Sequence, residues 1–219
     1  MDTLAFVHSK TRESYNLVAE KYHTLFHNEL DTKEYDRKLL DCFVHLFNPG
    51  AKICDAGCGP SAHIGKYLSD RGMDVVGVDI SDRCIEIASQ TNPGMDFRRE
   101  DFAALSFTND CFDGMISYYS IINTPKSMID GIFNEFNRVT KAGGRLLVVV
   151  KAGVEEGYIR ELIGVETEIY SSLFNEEELV RYFTNSGFAI EFIERRKPYD
   201  SEIQNERIFV IGKKKRNYG

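Results

Sequence analysis

The sequence predicts an α/β fold, a doubly wound seven-stranded sheet that is mostly parallel and ends in an antiparallel hairpin. Three observations predict it. Short β-branched runs alternate with helical runs from residue 51 to residue 151, the rhythm of parallel β-α-β units with right-handed crossovers. Strong stops such as Asn48-Pro49-Gly50 and Gly72 punctuate the runs. The last two strand-like runs, AIEFIERRK and ERIFVIGKK, are joined by a short loop with a proline, which reads as an antiparallel pair at one sheet edge.

Each element has its own signal. In TRESYNLVAEKYHTLFHNEL, residues 11–30, the residues Tyr15, Val18, Tyr22, Leu25 and Phe26 recur at helical spacing. KEYDRKLLDCFVHLF is a second helix, stopped by Asn48-Pro49-Gly50. AKICDAG is a short buried strand and HIGKYLSDRG a helix; DVVGVDI is a strand and SDRCIEIASQ a helix capped by Ser81 or Asp82. MDFRRED and FDGMISYY are the next strands. SMIDGIFNEFNRVT is a helix ended by Lys141-Ala142-Gly143-Gly144, and GRLLVVVK is the clearest strand. A polar, Gly- and Glu-rich connection over residues 154–172 leads to the helix NEEELVRYFTNSG. One domain is expected over 1–219: a helical cap at 1–50, a cofactor-binding core at 51–153, and a substrate-side segment with a C-terminal helix and hairpin at 154–219.

Composition narrows the function classes. Of the 219 residues, 42% are hydrophobic and 28% charged, as in ordinary globular proteins. No apolar run approaches the ~18 residues of a membrane helix, so no membrane partner is expected. The first residues, MDTLAFVHSKTRESYNL, lack a basic region followed by an apolar core and do not read as a secretory signal. The five cysteines have no C-x-x-C spacing, which suits reduced thiols in a cytoplasmic protein. A net charge of -7 with interspersed signs repels phosphate backbones, so no nucleic acid is expected. The basic run Lys213-Lys214-Lys215-Arg216 reads as a solvated tail.

The stretch ICDAGCGPSAH, residues 53–63, sits where a first strand ends, and in open α/β sheets that edge holds the ligand. Gly57 and Gly59 let a ligand approach the backbone without an intervening Cβ. Asp79 lies about 20 residues beyond, at the end of the second strand, the separation expected of an acceptor for ribose hydroxyls. An adenine nucleoside is therefore expected. A dinucleotide fingerprint would begin with glycine where Asp55 stands and carry a third glycine where Ser61 or Ala62 stands, so a ligand without a pyrophosphate fits better. Asp101, after the third strand, is placed to accept from an adenine amino group, with Phe102 packing nearby.

The runs ICDAGCGP, VVGVDIS, REDFAALSF, FDGMIS and FNRVTKAGGRLLVVV together resemble the class I S-adenosylmethionine-dependent methyltransferases, in order and in spacing, over about residues 11–215. The resemblance implies a Rossmann-like fold, S-adenosylmethionine as cofactor and S-adenosylhomocysteine as product. It is nearest a branch of small bacterial and archaeal enzymes with Y-x-x-x-A-x-x-Y in the N-terminal helix, here Tyr15, Ala19 and Tyr22. That branch also has an aromatic stretch like YYSIINTP and an R-x-P-Y element like Arg196-Lys197-Pro198-Tyr199. By the resemblance, Gly57 and Gly59 line the methionine part, Asp79 takes the ribose, Ile80 packs on the adenine, and Asp101 and Phe102 read its edge. Ser117 and Tyr118 offer backbone near the cofactor's amino group, and Tyr22 and Tyr15 reach its carboxylate. Asp55, Cys58, His63 and Ser81 complete the expected cofactor set.

The reaction expected is transfer of a methyl group to a small-molecule acceptor by in-line displacement. Asn123 stands near where many relatives place a histidine, so no histidine base is carried over; Tyr119 and Asn123 are the candidate catalytic contacts. Ser117-Tyr118-Tyr119-Ser120 differs from the Asp/Asn-Pro-Pro-aromatic run of enzymes that methylate nucleic-acid bases. His23 and His27 form an i, i+4 pair without a third ligand, so no metal is expected. Segment 154–172, with Glu166, Glu168 and Tyr170, is the expected source of acceptor selectivity and a candidate lid. A monomer or homodimer is expected. The alternatives are an NAD(P)-dependent oxidoreductase and a catalytically silent S-adenosylmethionine-binding protein.

Overall fold

A computed structural model describes residues 3–216; the expected end points at residues 1 and 219 lie outside the described residues. The chain enters through a long helix, α1 (Leu4–Phe26), and after a 3-10 turn at Glu29–Thr32 forms α2 (Glu34–Val44). Then β1 (Lys52–Ala56), α3 (His63–Ser69), β2 (Asp74–Asp79), α4 (Asp82–Thr91), β3 (Asp96–Arg99) and β4 (Phe112–Tyr118) alternate. They are followed by α5 (Ile129–Val139), β5 (Thr140–Lys151), β6 (Glu156–Leu162), β7 (Val165–Ser172), α6 (Glu176–Asn185), β8 (Phe188–Arg196) and β9 (Arg207–Lys214).

Seven strands form one sheet in the order β3-β2-β1-β4-β5-β9-β8. The pairs from β3 to β5 are parallel, and β9 runs antiparallel to both of its neighbours. The order reverses between β1 and β4, which opens a crevice at their carboxyl ends. The period-2 alternation of buried strands sorts side chains onto two faces. Leu146, Val148 and Val150 of β5 pack with Phe133, Phe136 and Phe183 of α5 and α6; Leu147 and Val149 pack with Leu40, Phe43 and Leu68 on the opposite face.

Three local readings are revised. The helix stops before Lys141, at Val139, but the strand expected from Gly144 already begins at Thr140, so Lys141 to Gly144 belong to β5, with an irregularity opposite Asp113 and Gly143 at φ +81°. The connection 154–172 is a β6–β7 hairpin outside the main sheet, turning at Ile163 and Gly164, both at positive φ. That two-residue geometry suits the strand twist, but isoleucine in place of asparagine hides it from a sequence reading. The join between β8 and β9 spans 197–206, longer than expected. Among the described residues no helix is long and apolar enough to cross a membrane, and no group of three or more His, Cys, Asp or Glu is placed to hold a metal.

Candidate active site

The turn after β1 is shaped by what its glycines allow. Gly57 has φ +79°, and a Cβ there would lie 2.3 Å from Ser120 Cβ. Gly59 has φ +64°, and a Cβ there would meet nothing within 4 Å. The first glycine closes the turn against the β4 exit, and the second leaves the floor of a cleft open. The Gly59 N–H donates to Asp79 Oδ2 at 2.9 Å, while Ser81 N–H donates to Asp79 Oδ1 at 2.9 Å. Backbone thus fixes both oxygens of a carboxylate that is 7% exposed, and each oxygen keeps a lone pair for a ligand. Asp55 instead faces α3: its Oδ2 accepts from Gly65 N at 3.0 Å, and a Cβ on Gly65 would come within 2.9 Å of that oxygen. Gly65 therefore permits the close helix–strand approach that neither Ser61 nor Ala62 provides, a signal the sequence reading missed.

The cleft, about 700 Å³ counting its open mouth, gathers most of the expected residues. Tyr15, Tyr22, Asp55, Gly57, Cys58, Gly59, His63, Asp79, Ile80, Phe102, Tyr118, Tyr119 and Asn123 all line it. Three expected residues do not. Ser81 is fully buried as the N-cap of α4, accepting from Cys84 N. Ser117 is fully buried, its hydroxyl 2.6 Å from Ser120 Oγ. Asp101 holds His8 Nδ1 of α1 at 2.7 Å and accepts from Ala103 N at 2.9 Å. Thr11, Glu29 and Ser120 line the cleft without having been singled out; each is polar and ordinary in its local context, and long-range packing alone brings it there.

Electrostatics mark the same place. Burial raises the Asp79 carboxyl to about 6 against the backbone bonds that favour its charge. Burial raises Asp55 to about 7, countered by His63 and the Gly65 N–H. Perturbed acids of this kind concentrate at functional clefts. Of the residues lining the cleft, two have a polar atom buried without a partner among the described residues: His63 Nδ1, whose ring meets Glu29 Oε1 through Nε2 at 2.7 Å, and the Tyr119 hydroxyl. Tyr119 also sits at φ +56°, a conformation that strains a bulky residue and recurs at functional sites.

A second, larger cavity of about 1860 Å³, counting its open mouth, adjoins the first. Tyr15, Tyr22, Glu29, Tyr119 and Asn123 line both. Asn123 ties the two sides together, accepting from Tyr15 Oη at 3.1 Å and donating to the Tyr170 carbonyl at 2.8 Å. Of the hairpin, Ile159, Glu161, Leu162, Ile163 and Ser171 reach this cavity, whereas Glu166, Glu168 and Tyr170 do not line it.

Residues 53–144, which hold the glycine turn, Asp79 and β4, match the methyltransferase domain family. The match spans less than half of the chain. The demethylmenaquinone methyltransferase of Renibacterium salmoninarum is 32% identical over 119 residues, covering 53% of this chain and 47% of that protein. The sterol 24-C-methyltransferase of Yarrowia lipolytica is 25% identical over 171 residues, 71% of this chain and 44% of the relative. The chain spans about half the length of the curated relatives it matches. Among solved structures, a methyltransferase from Methanosarcina mazei superposes with TM-score 0.71 at 22% identity, covering 79% of this chain and 97% of the other. A 1,6-didemethyltoxoflavin-N1-methyltransferase from Burkholderia thailandensis also gives 0.71 at 16% identity, covering 99% and 93%. These structural likenesses establish the fold.

The residues of the cleft fit S-adenosylmethionine on their own chemistry. Asp79 presents a fixed buried carboxylate for a diol, Gly59 leaves space where a side chain would project, and Tyr119 holds an unpartnered hydroxyl at the boundary of the two cavities. Phosphate recognition would call for cationic or helix N-terminal donors. Here α3 begins at His63, whose Nε2 already meets Glu29.

Proposed function

We propose that the protein is an S-adenosylmethionine-dependent methyltransferase acting on a small molecule held in the second cavity. The observation that carries this reading is the shared wall: a cleft with a fixed diol acceptor opens, past Tyr15, Tyr119 and Asn123, onto a roomier chamber. Asp79 would accept from the ribose hydroxyls, Ile80 and Phe102 would flank the adenine, and Gly57 and Gly59 would let the methionine part lie along the backbone. Asp101 would act through His8, locking α1 over the adenine end rather than reading the base alone. Ser81 and Ser117 would serve as supports, by capping α4 and bracing Ser120. Relatives named for menaquinone precursors, sterols and toxoflavin precursors favour a small-molecule acceptor.

When bound, the sulfonium would supply an activated methyl group, with sulfur as the leaving atom, for the acceptor's lone pair. The chain's own residues align and dehydrate. Displacement requires the acceptor atom ~3–3.5 Å behind the methyl carbon, and the Tyr119 and Asn123 wall separates the chambers where that line must pass. A hydroxyl acceptor must also release a proton. Calorimetric titration with S-adenosylmethionine, S-adenosylhomocysteine and NADH tests the reading. Micromolar binding of the sulfur nucleosides alone, followed by transfer of labelled methyl to an acceptor pool, is the expected result. Binding of NADH alone would overturn it.

A further inference from the structure

The deep end of the second cavity holds two cations in an arrangement that folding alone disfavours. Lys151 ends β5, Arg207 begins β9, and the antiparallel register sets them directly opposite each other. Like charges directly opposite on neighbouring strands are destabilising. Both side chains line the cavity. Among the described residues the Lys151 ammonium makes no hydrogen bond or ion pair. Arg207 is 3% exposed; its Nη1 donates to the carbonyls of Ile203 and Asn205, and its Nε is buried with no partner.

The nearest carboxylate, Glu202, offsets them only in part, because it is shared with other cations. Glu202 accepts from Arg196 Nη1 and Nη2 at 2.8 and 3.0 Å, from Tyr199 N at 2.9 Å, and pairs with Lys33 at 2.9 Å. Its distance to Arg207 Nη2 is 3.9 Å. Burial opposes its charge, yet Arg196 and Lys33 together pull it down to about 2. Glu29 is taken by Lys33 and His63. Asp36 faces Arg196 and accepts from Tyr118. Glu161 also lines the cavity, but on the exposed hairpin, where water screens it, and it forms no ion pair with either cation among the described residues. Burial and the neighbouring Arg207 both push the Lys151 ammonium below its usual range, so the site gains by receiving an anion. The same cavity is also lined by the apolar residues Leu25, Phe26, Ile122, Leu162, Ile163 and Ile203.

We infer that the acceptor is an organic acid with a largely apolar body, its anionic oxygens bound between Lys151 and Arg207 and its body against the aliphatic wall. A charge-assisted bond in a half-buried site outweighs a neutral one, and a buried guanidinium N–H without a partner is costly until a ligand supplies one. The methyltransferase reading enters only in naming this ligand the acceptor; the anion site stands on the cations themselves.

Fluorescence titration with 2-naphthoate and its uncharged amide, 2-naphthamide, tests it, since a chain without tryptophan leaves the naphthyl signal clear. Each titration is run with and without S-adenosylhomocysteine, whose own binding is measured on the same protein. The expected result is naphthoate binding roughly tenfold tighter than the amide. Lys151→Met should remove that preference and leave amide binding intact, and Lys151→Arg should keep it. Equal affinity for acid and amide, no saturable naphthoate binding, or an unchanged preference in Lys151→Met would overturn the anion site. Failure of S-adenosylhomocysteine to bind would count against the cofactor reading alone, because the acid preference is read independently of it.

Discussion

The two chambers share a wall and differ in how their groups are supplied. In the cofactor cleft the turn at 57–59, the α3 entry at 63 and the β2 exit at 79 lie within a few dozen residues of one another, and backbone amides do much of the holding. In the second cavity the lining comes from the end of α1, the 3-10 turn at 121–123, the last residue of β5, the β6–β7 hairpin and residues 201–207. There side chains do the holding, through the Glu202, Arg196, Lys33 and Asp36 cluster. A site built from backbone at a topological switch point tolerates drift in its surroundings. A site built from distant side chains can change its ligand with few substitutions, so a shared fold leaves the acceptor open.

The sharpest break between the chambers is expected at Asp79. Asp79→Ala removes two charge-assisted bonds to the ribose, each worth ~1.5–3 kcal/mol. S-adenosylhomocysteine affinity should fall about 100-fold or more by calorimetry, while 2-naphthoate binding in the other chamber should hold. Next in size is Gly57→Ala. Alanine at φ +79° costs ~1–2 kcal/mol, and the clash with Ser120 Cβ adds a packing cost of similar size. A loss of about 3 kcal/mol should lower the melting temperature by roughly 6–12 °C. Adding Ser120→Gly should recover the clash but not the backbone strain; full recovery would show that the turn's conformation is free.

The ionisation of Asp79 gives a third, smaller effect. Its folded carboxyl, raised to about 6, favours the free protein at low pH, and this contribution is lost as pH rises through about 6. Ribose hydroxyls donate to the ionised form, so ligand affinity runs the other way: it should climb from pH 5 to pH 7 by about tenfold and then level. Asp79→Asn should flatten that rise. A profile identical in the two proteins would assign the titration to Asp55, raised to about 7.

The same division explains what the sequence made legible. The glycine spacing, the acid at 79 and the order of buried runs are local, and they carried the sheet, the switch point and most of the cleft. His8 reaching Asp101 from 93 residues away and Glu29 reaching His63 leave no short-range trace. The hairpin escaped because Ile163-Gly164 is an uncommon choice for two positive φ angles. The Lys151–Arg207 pair was invisible because register, not sequence distance, makes them neighbours.

Asn123 tests whether the chambers are independent. Its Oδ1 receives the Tyr15 hydroxyl and its Nδ2 reaches the Tyr170 carbonyl on β7, so one amide bridges the cofactor-side helix and the acceptor-side hairpin. Asn123→Ala removes both bonds, and Asn123→Asp keeps an acceptor for Tyr15 but sets a carboxylate against a carbonyl. Each lost bond is worth ~1 kcal/mol, about a fivefold change. If the chambers are built separately, Asn123→Asp binds S-adenosylhomocysteine as the wild type does, and only the β7 amides exchange faster with solvent. If the hairpin clamps α1 over the cofactor through this residue, affinity falls about fivefold in Asn123→Asp and further in Asn123→Ala, in step with hairpin exchange. The bridge geometry favours the second outcome, since Ser14 of α1 also holds the hairpin, at Thr167 Oγ1 (2.7 Å) and the Glu168 carbonyl (3.3 Å). Two independent ties between the same elements make their motions cooperative.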